Sequence, residues 1–86
     1  MLFRSLAAGR LAGLLERLRL LAALELVVAA QAVGLAGIET LGRGTGAAYA
    51  VVRGLAPPLE RDRPLGADVQ RVAEGLDLVL AAATAR

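Results

Sequence analysis

The chain has 86 residues, of which 57% are hydrophobic and only 2% aromatic, and its formal net charge is +2. It contains no Cys and no His, which excludes a disulfide framework, a thiolate metal site and a histidine general base. All ten basic residues are Arg, which excludes a lysine Schiff base. Where they come close together, as at Arg17 and Arg19 or at Arg61 and Arg63, acids stand beside or between them, which argues against a nucleic-acid surface. A chain so small, without disulfide bonds or large core side chains, is not expected to be stable alone.

The first predicted element is a long helix over residues 5–41. Apolar residues recur on one stripe at three- and four-residue intervals, at Leu11, Leu14, Leu15, Leu18, Leu21 and Ala22. From Leu20 to Ile38, only Glu25 and Gln31 interrupt apolar or glycine positions. A helix that is apolar all round is buried in a large core or in a membrane. We therefore expect lipid, a partner subunit or the rest of a larger protein to cover it.

A glycine-rich connector and a short helix follow. The run Gly42-Arg43-Gly44-Thr45-Gly46 lacks the Lys and the spacing of a phosphate loop, and no strand is predicted before it. We interpret it as a flexible connector between helices. The short helix is predicted over 46–55, with Ala47, Val51 and Leu55 on one face. It ends at Ala56, because Pro57 biases the preceding residue away from helical angles.

Residues 56–65 form a predicted loop that is bounded by prolines and rich in charge. Glu60, Arg61, Asp62 and Arg63 alternate in sign and are expected to pair locally in solvent. Two carboxylates at Glu60 and Asp62 have the composition of an acid/base pair, but the flanking arginines would keep both ionised. A solvated loop is therefore the preferred interpretation.

The last predicted helix covers residues 67–83. Asp68 lies in its first turn, where a negative charge interacts favourably with the helix dipole. Its apolar side is predicted to contain Val69, Val72, Ala73, Leu76 and Leu80. Polar residues fill the opposite side, so this helix is expected to lie at a surface.

The order of these segments resembles the C-terminal part of the aromatic amino acid ammonia-lyases, and most closely that of histidine ammonia-lyase. The resemblance runs from about Leu11 to Leu76 and rests on several short stretches in the family's order. These are Glu16-Arg17-Leu18-Arg19, Ala23-Leu24-Glu25-Leu26, Ala29-Ala30-Gln31-Ala32, Leu41-Gly42-Arg43-Gly44-Thr45, Ala47-Ala48-Tyr49, Val52-Arg53, and Pro57 to Leu65 followed by Asp68.

The resemblance implies an all-α fold, in which the long apolar helix is the last helix of a central bundle and two shorter helices follow. Its implied partners are the rest of a lyase subunit and the neighbouring subunits of a cytoplasmic homotetramer. The family eliminates ammonia from histidine, phenylalanine or tyrosine with a methylidene-imidazolone group formed from Ala-Ser-Gly. That tripeptide is absent from these residues, and the family's acidic catalytic motif would lie upstream of Met1. No catalytic, cofactor-binding or metal residue is therefore assigned, and the chain is expected to be inactive alone.

The chain also departs from the family pattern. Gly34 stands where the family usually carries Asp, and Ala67 where it usually carries Pro. Met1 to Arg4 does not resemble the family, and Leu78 to Arg86 extends past the match. We expect residues 1–86 to be a single C-terminal fragment of a lyase-like helical domain.

Glu25 lies within the apolar run, where a carboxylate buried without a partner is costly. We favour a structural role, in which Glu25 pairs with an Arg or a backbone donor elsewhere in the assembly, over an active-site acid. Three alternatives to this interpretation stay open for the chain as a whole. The first is a small membrane-associated helical protein, and the second is a fragment of a phenylalanine or tyrosine ammonia-lyase. The third is an oligomerisation module that buries the helix against copies of itself.

Overall fold

The computed structural model describes residues 2–85, with side chains from residue 4 onward. The described chain forms four helices and no strand: α1 (Leu2–Ala36), α2 (Arg43–Leu55), α3 (Gly66–Glu74) and α4 (Leu76–Thr84). The prediction of an all-α fold with one long apolar helix followed by shorter helices is confirmed. The described part of α1 begins at Leu2, three residues before the predicted start. Larger differences from the predicted bounds lie at the end of α1, at the start of α2 and within the last predicted helix.

Helix α1 ends at Ala36, five residues before the predicted end at residue 41. Gly37 has a φ of 68°, in the left-handed region that favours glycine. Its N–H bonds to the Gly34 carbonyl, and the Ile38 N–H bonds back to the Val33 carbonyl. These two bonds form a Schellman motif, which satisfies the last carbonyls and terminates the helix.

Helix α2 begins at Arg43, three residues before the predicted start, so most of the expected connector is helical. The Gly46 N–H bonds to the Gly42 carbonyl at 2.6 Å. Gly44 packs so closely on the end of α4 that a Cβ there would lie 2.6 Å from the Ala83 carbonyl oxygen. Its lack of a side chain therefore allows the backbones of α2 and α4 to meet.

The predicted helix over 67–83 is two helices, α3 and α4, separated at Gly75. The Gly75 N–H closes the end of α3 by bonding to the Arg71 and Val72 carbonyls. A Cβ at Gly75 would lie 2.7 Å from Leu55 Cδ1, so this break is where the end of α2 packs. The apolar side shifts after the break, because Val79 is buried and the predicted Leu80 is exposed.

The four helices pack as antiparallel pairs. Helix α2 returns along the second half of α1, with Arg53 beside Ala30 and Tyr49 beside Gly34. Helix α4 lies antiparallel to α2, as the contacts Gly44–Ala83 and Leu55–Gly75 require. Helix α3 runs antiparallel to α1, and the Arg19 guanidinium donates to the Ala73 carbonyl near the end of α3.

The core contains only alanine and valine among its fully buried apolar residues. In the described part of the chain these residues are Ala23, Val27, Ala30, Val52, Ala56, Val72, Ala73 and Val79. Small side chains let helices approach closely, but each buries little apolar area. The hydrophobic stabilisation of the isolated chain is correspondingly modest.

The first half of α1 extends beyond this packed unit, and residues 4–18 are all exposed. Helix α1 is long and apolar enough to cross a membrane, but core helices of larger proteins meet the same criteria. Only a small share of its most apolar stretch is buried within the chain. The surface of α1 is therefore the feature of this fold that most needs explanation.

Candidate functional site

The glycine-rich run does not form a phosphate-binding loop. Arg43, Gly44, Thr45 and Gly46 lie in the first turn of α2, and the glycines serve helix packing. Within the described residues, no group of three or more Asp or Glu side chains has the arrangement of a metal site. This segment therefore has a structural explanation.

Glu60 and Asp62 are exposed on the loop 56–65, and no ion pair or hydrogen bond of either side chain is found there. The expected local pairing of Arg63 with these acids is wrong. Arg63 Nη2 instead contacts Asp68 Oδ2 at 2.7 Å and also donates to the Pro57 carbonyl at 2.9 Å. Asp68, on α3, thus takes the place of Glu60 and Asp62 as the acid that pairs with Arg63.

Asp68 is the buried charged residue of the described chain, with an exposed fraction of 4%. Its second oxygen, Oδ1, accepts a hydrogen bond from Arg71 Nη2, one turn along α3. The Arg71 Nε donates in turn to the Leu55 carbonyl at the end of α2. We call Asp68, Arg63 and Arg71 the Asp68 clasp. It fixes α2, the proline loop and α3 together, and both carboxylate oxygens are occupied.

Two further polar side chains connect α1 to the rest of the fold. The Gln31 amide pairs with the backbone of Leu59 in both directions, donating to its carbonyl at 3.3 Å and accepting from its N–H at 3.1 Å. The Arg53 Nη2 donates to the Ala30 carbonyl at 2.6 Å, and its Nε donates to the Tyr49 hydroxyl at 3.1 Å. Gln31 thus has a structural role in attaching the proline loop to α1.

An apolar groove of about 260 Å³ lies between α1 and the proline loop. Its walls include Val28, Leu35, Pro57 and Leu65. The polar groups at its edge, Asp68 and the amide of Gln31, are already paired within the chain. The groove thus resembles a helix-packing surface more than a site that orients a small polar substrate.

The outer surface of α1 carries a regular apolar stripe. In heptad positions a and d, every three or four residues, it contains Leu11, Leu14, Leu18, Leu21, Glu25, Val28, Ala32 and Leu35, all exposed. We call these residues the outer stripe. They lie opposite Ala23, Val27 and Ala30, which face the core. The periodicity of Leu11, Leu14, Leu18 and Leu21 predicts the first half of this stripe, but beyond Leu20 the sequence pattern does not distinguish it from the side that faces the core.

Glu25 lies in the middle of the outer stripe and is exposed. No hydrogen bond or ion pair of its carboxylate is found in the described chain, and its neighbours three and four residues away are Leu21, Ala22, Val28 and Ala29. The predicted pairing of Glu25 with a cation elsewhere in an assembly stays a prediction. The carboxylate is exposed on the outer stripe, where it is accessible to such a partner.

No protein-family model matches the chain, and no solved structure matches it. Among curated proteins, an enzyme of Symbiobacterium thermophilum is 40% identical to it over 68 residues. The chain is similar to part of a histidine ammonia-lyase. The match covers 79% of the chain but only 13% of the length of that enzyme. The predicted lyase resemblance is thus supported as a partial match to histidine ammonia-lyase.

Proposed function

We propose that the chain is the C-terminal segment of a histidine ammonia-lyase-like subunit and that it supplies packing surface instead of catalytic groups. The observation that carries this proposal is the 40% identity over 68 residues. The parent enzyme would eliminate ammonia from L-histidine to give urocanate in the cytoplasm. Its methylidene-imidazolone and its acidic catalytic motif would come from residues outside this chain.

The polar contacts between segments support a structural role. Arg19 bonds to α3, Gln31 to the proline loop and Arg53 to α1, while the Asp68 clasp joins α2 to α3. These residues include several of those that carry the resemblance to the lyases. Each of these side chains thus has a partner within the chain, as a packing role requires.

The composition and length of α1 favour protein over lipid as the material that covers the outer stripe. Between Arg10 and Glu25, α1 carries five charged residues, and charged side chains are costly in a hydrocarbon layer. The remaining apolar stretch from Leu20 to Ala36 would span about 26 Å as a helix, less than the hydrocarbon core of about 30 Å. We propose that the rest of the subunit and its neighbours in a homotetramer cover the stripe.

The test uses the Symbiobacterium thermophilum enzyme in three forms: intact, with the matched segment deleted, and with that segment replaced by this chain. We expect the deletion to abolish assembly and urocanate formation, and the replacement to restore both. The isolated chain should release no ammonia from histidine. A soluble replacement enzyme that behaves like the deletion, or ammonia release by the chain alone, would contradict the proposal.

Substrate assays of the same replacement enzyme with phenylalanine and tyrosine address the other lyase types. Because the segment is proposed to supply packing surface only, the replacement should keep the histidine preference of the parent enzyme. A change of preference would place selectivity residues in this segment. The coding sequence upstream of Met1 gives an independent check, since an in-frame Ala-Ser-Gly is expected there.

A further inference from the structure

We infer that the groove between α1 and the proline loop receives a large apolar side chain from the part of the lyase polypeptide outside this chain, and that a carboxylate beside that side chain pairs with Arg53. This contact rests on the proposed function, since it joins the chain to the rest of the enzyme. The groove has a volume of about 260 Å³. A cavity of about 150 Å³ already holds a benzene-sized group, so the groove has room for an aromatic or long aliphatic side chain.

The groove is continuous with the outer stripe. Val28, Ala32 and Leu35 belong to the stripe and also line the groove. Leu35 is 79% exposed, more than any other large apolar side chain of the described residues. A segment that covers the stripe at this level therefore meets the groove as well. The enzyme of Symbiobacterium thermophilum has ample chain to provide that segment, because the match covers only 13% of its length.

The polar groups of the groove define the chemistry of the partner. Gln31 exchanges two hydrogen bonds with the Leu59 backbone, and both oxygens of Asp68 accept hydrogen bonds from arginines. Arg53 donates within the chain through Nε and Nη2, whereas no hydrogen bond of its Nη1 is found among the described residues. The principal unused capacity at the groove is therefore a guanidinium donor, and a carboxylate is the acceptor that binds it most strongly.

The charge around the groove also favours an acidic partner. Among the described residues, Asp68 is the acid that lines the groove, and Arg63 and Arg71 both bind it. Together with Arg53, three guanidinium groups and one carboxylate thus lie in or next to the groove, which leaves a net positive charge. A cationic segment would be repelled there. An acid next to an apolar side chain complements both the charge and the apolar walls.

Filling the groove from within tests the apolar contact. Ala32→Phe in the replacement enzyme should place a ring in the space that the partner side chain occupies. We expect the melting temperature of the replacement enzyme to fall by about 3 °C or more, because two side chains then compete for one cavity. In the isolated chain, the same substitution should leave the urea midpoint unchanged or raise it, because the ring covers apolar walls of the groove.

Ala50→Phe is the matched control, at an exposed alanine of α2 that does not line the groove. It should change the melting temperature of the replacement enzyme by less than about 1 °C. Equal losses for the two substitutions would overturn the apolar contact. A loss of stability in the isolated chain with Ala32→Phe would do the same, because the effect would then not require a partner.

Two substitutions of Arg53 test the carboxylate. Arg53→Lys keeps the positive charge and Arg53→Gln removes it, and both lose the guanidinium geometry. The replacement enzyme with Arg53→Lys should melt about 2 °C or more above the one with Arg53→Gln, because only the lysine attracts the partner carboxylate. The two isolated chains should have the same urea midpoint. Equal melting temperatures of the two replacement enzymes would overturn the pairing of Arg53 with an acid.

A photocross-link identifies the partner. With p-benzoylphenylalanine in place of Leu35, which lines the groove, mass spectrometry of the irradiated replacement enzyme should find the cross-link on a lyase residue outside the matched segment. An Asp or Glu is expected within about one helical turn of that residue. A cross-link confined to this chain, or one to a bound small molecule, would overturn the inference. A replacement enzyme that does not assemble would overturn the proposed function as well, whereas an assembled enzyme insensitive to the groove variants would overturn the groove contact alone.

Discussion

The carboxylate of Asp68 connects segments that are distant in sequence. It is buried between Arg63 and Arg71, and each arginine also donates to a backbone carbonyl, Arg63 to that of Pro57 in the proline loop and Arg71 to that of Leu55 in α2. Removal of the charge would leave the partly exposed guanidinium groups of Arg63 and Arg71 without their counterion. The stability of the packed unit should therefore depend on this residue more than on any other acid in the described chain.

Asp68→Asn should lower the free energy of unfolding by about 2–3 kcal/mol, less than the ~3–5 kcal/mol of a fully buried ion pair, because both arginines are partly exposed. The matched control is Asp77→Asn, also in the first turn of a helix, whose carboxylate is 88% exposed and 4.0 Å from Arg19. Urea unfolding followed by circular dichroism measures both. If the two variants lose the same stability, the Asp68 clasp does not contribute more to the stability of the fold than an exposed acid does.

Gly34 lies where the helix surface meets Arg53. A Cβ at this position would approach Arg53 Nη2 to 2.8 Å, and the flexible guanidinium is able to move aside. Gly34→Asp should be more stable than Gly34→Asn by about 0.5–1 kcal/mol. The reason is that an ion pair between the new carboxylate and Arg53 should stabilise the fold by more than the acid destabilises it at the C-terminus of α1. Thermal unfolding of both variants tests this. The difference should vanish when Arg53→Gln is added; a difference that persists would have another origin.

At the scale of helices, Gly37 and Gly75 show which helix boundaries can be predicted from a sequence. Gly37 ends α1 by a local motif whose requirement, a positive φ, depends on the residue type itself. Gly75 has a φ of −98°, which any residue adopts, and its importance comes from contact with Leu55, twenty residues earlier. The first kind of boundary is predictable from the sequence, although the predicted helix ran past it. The second depends on tertiary packing.

Gly75→Ala should destabilise the packed unit by about 1–2 kcal/mol despite the higher helix propensity of alanine, because the added Cβ overlaps Leu55 Cδ1. Gly54→Ala is the control, since nothing lies within 4 Å of a Cβ there. It should be neutral or stabilising by up to about 1 kcal/mol. Combination of Gly75→Ala with Leu55→Ala should cost less than the sum of the single changes, and strict additivity would argue against the clash.

The two faces of α1 were only partly predictable for a related reason. Periodicity identified Leu11 to Leu21 as a stripe, because polar residues occupy the other side there. Beyond Leu20 both sides are apolar, and the hydrophobic pattern alone does not tell core from outer surface. The structure separates them: Ala23, Val27 and Ala30 are buried, whereas Leu21, Val28 and Leu35 are exposed. Arg63 was likewise assigned to the wrong acid, because Asp68 is buried only after α3 packs on α1.

At the scale of the whole molecule, the chain divides into a packed unit and an extension. The packed unit comprises α2 to α4 and the second half of α1, from Arg19 onward, whereas residues 4–18 are exposed on all sides. Most of the large apolar side chains of α1 are exposed and contribute little to the folding of a single copy. The stability of the packed unit should therefore survive truncation of the extension.

A chain that starts at Arg19 should keep the packed unit. It retains Arg19, Gln31 and Arg53, the residues through which α1 bonds to the other segments. Its urea midpoint should match that of the full chain, because residues 4–18 are exposed on all sides and bury little apolar area. Urea unfolding followed by circular dichroism measures both chains. A truncated chain without cooperative unfolding would show that the deleted residues belong to the packed unit.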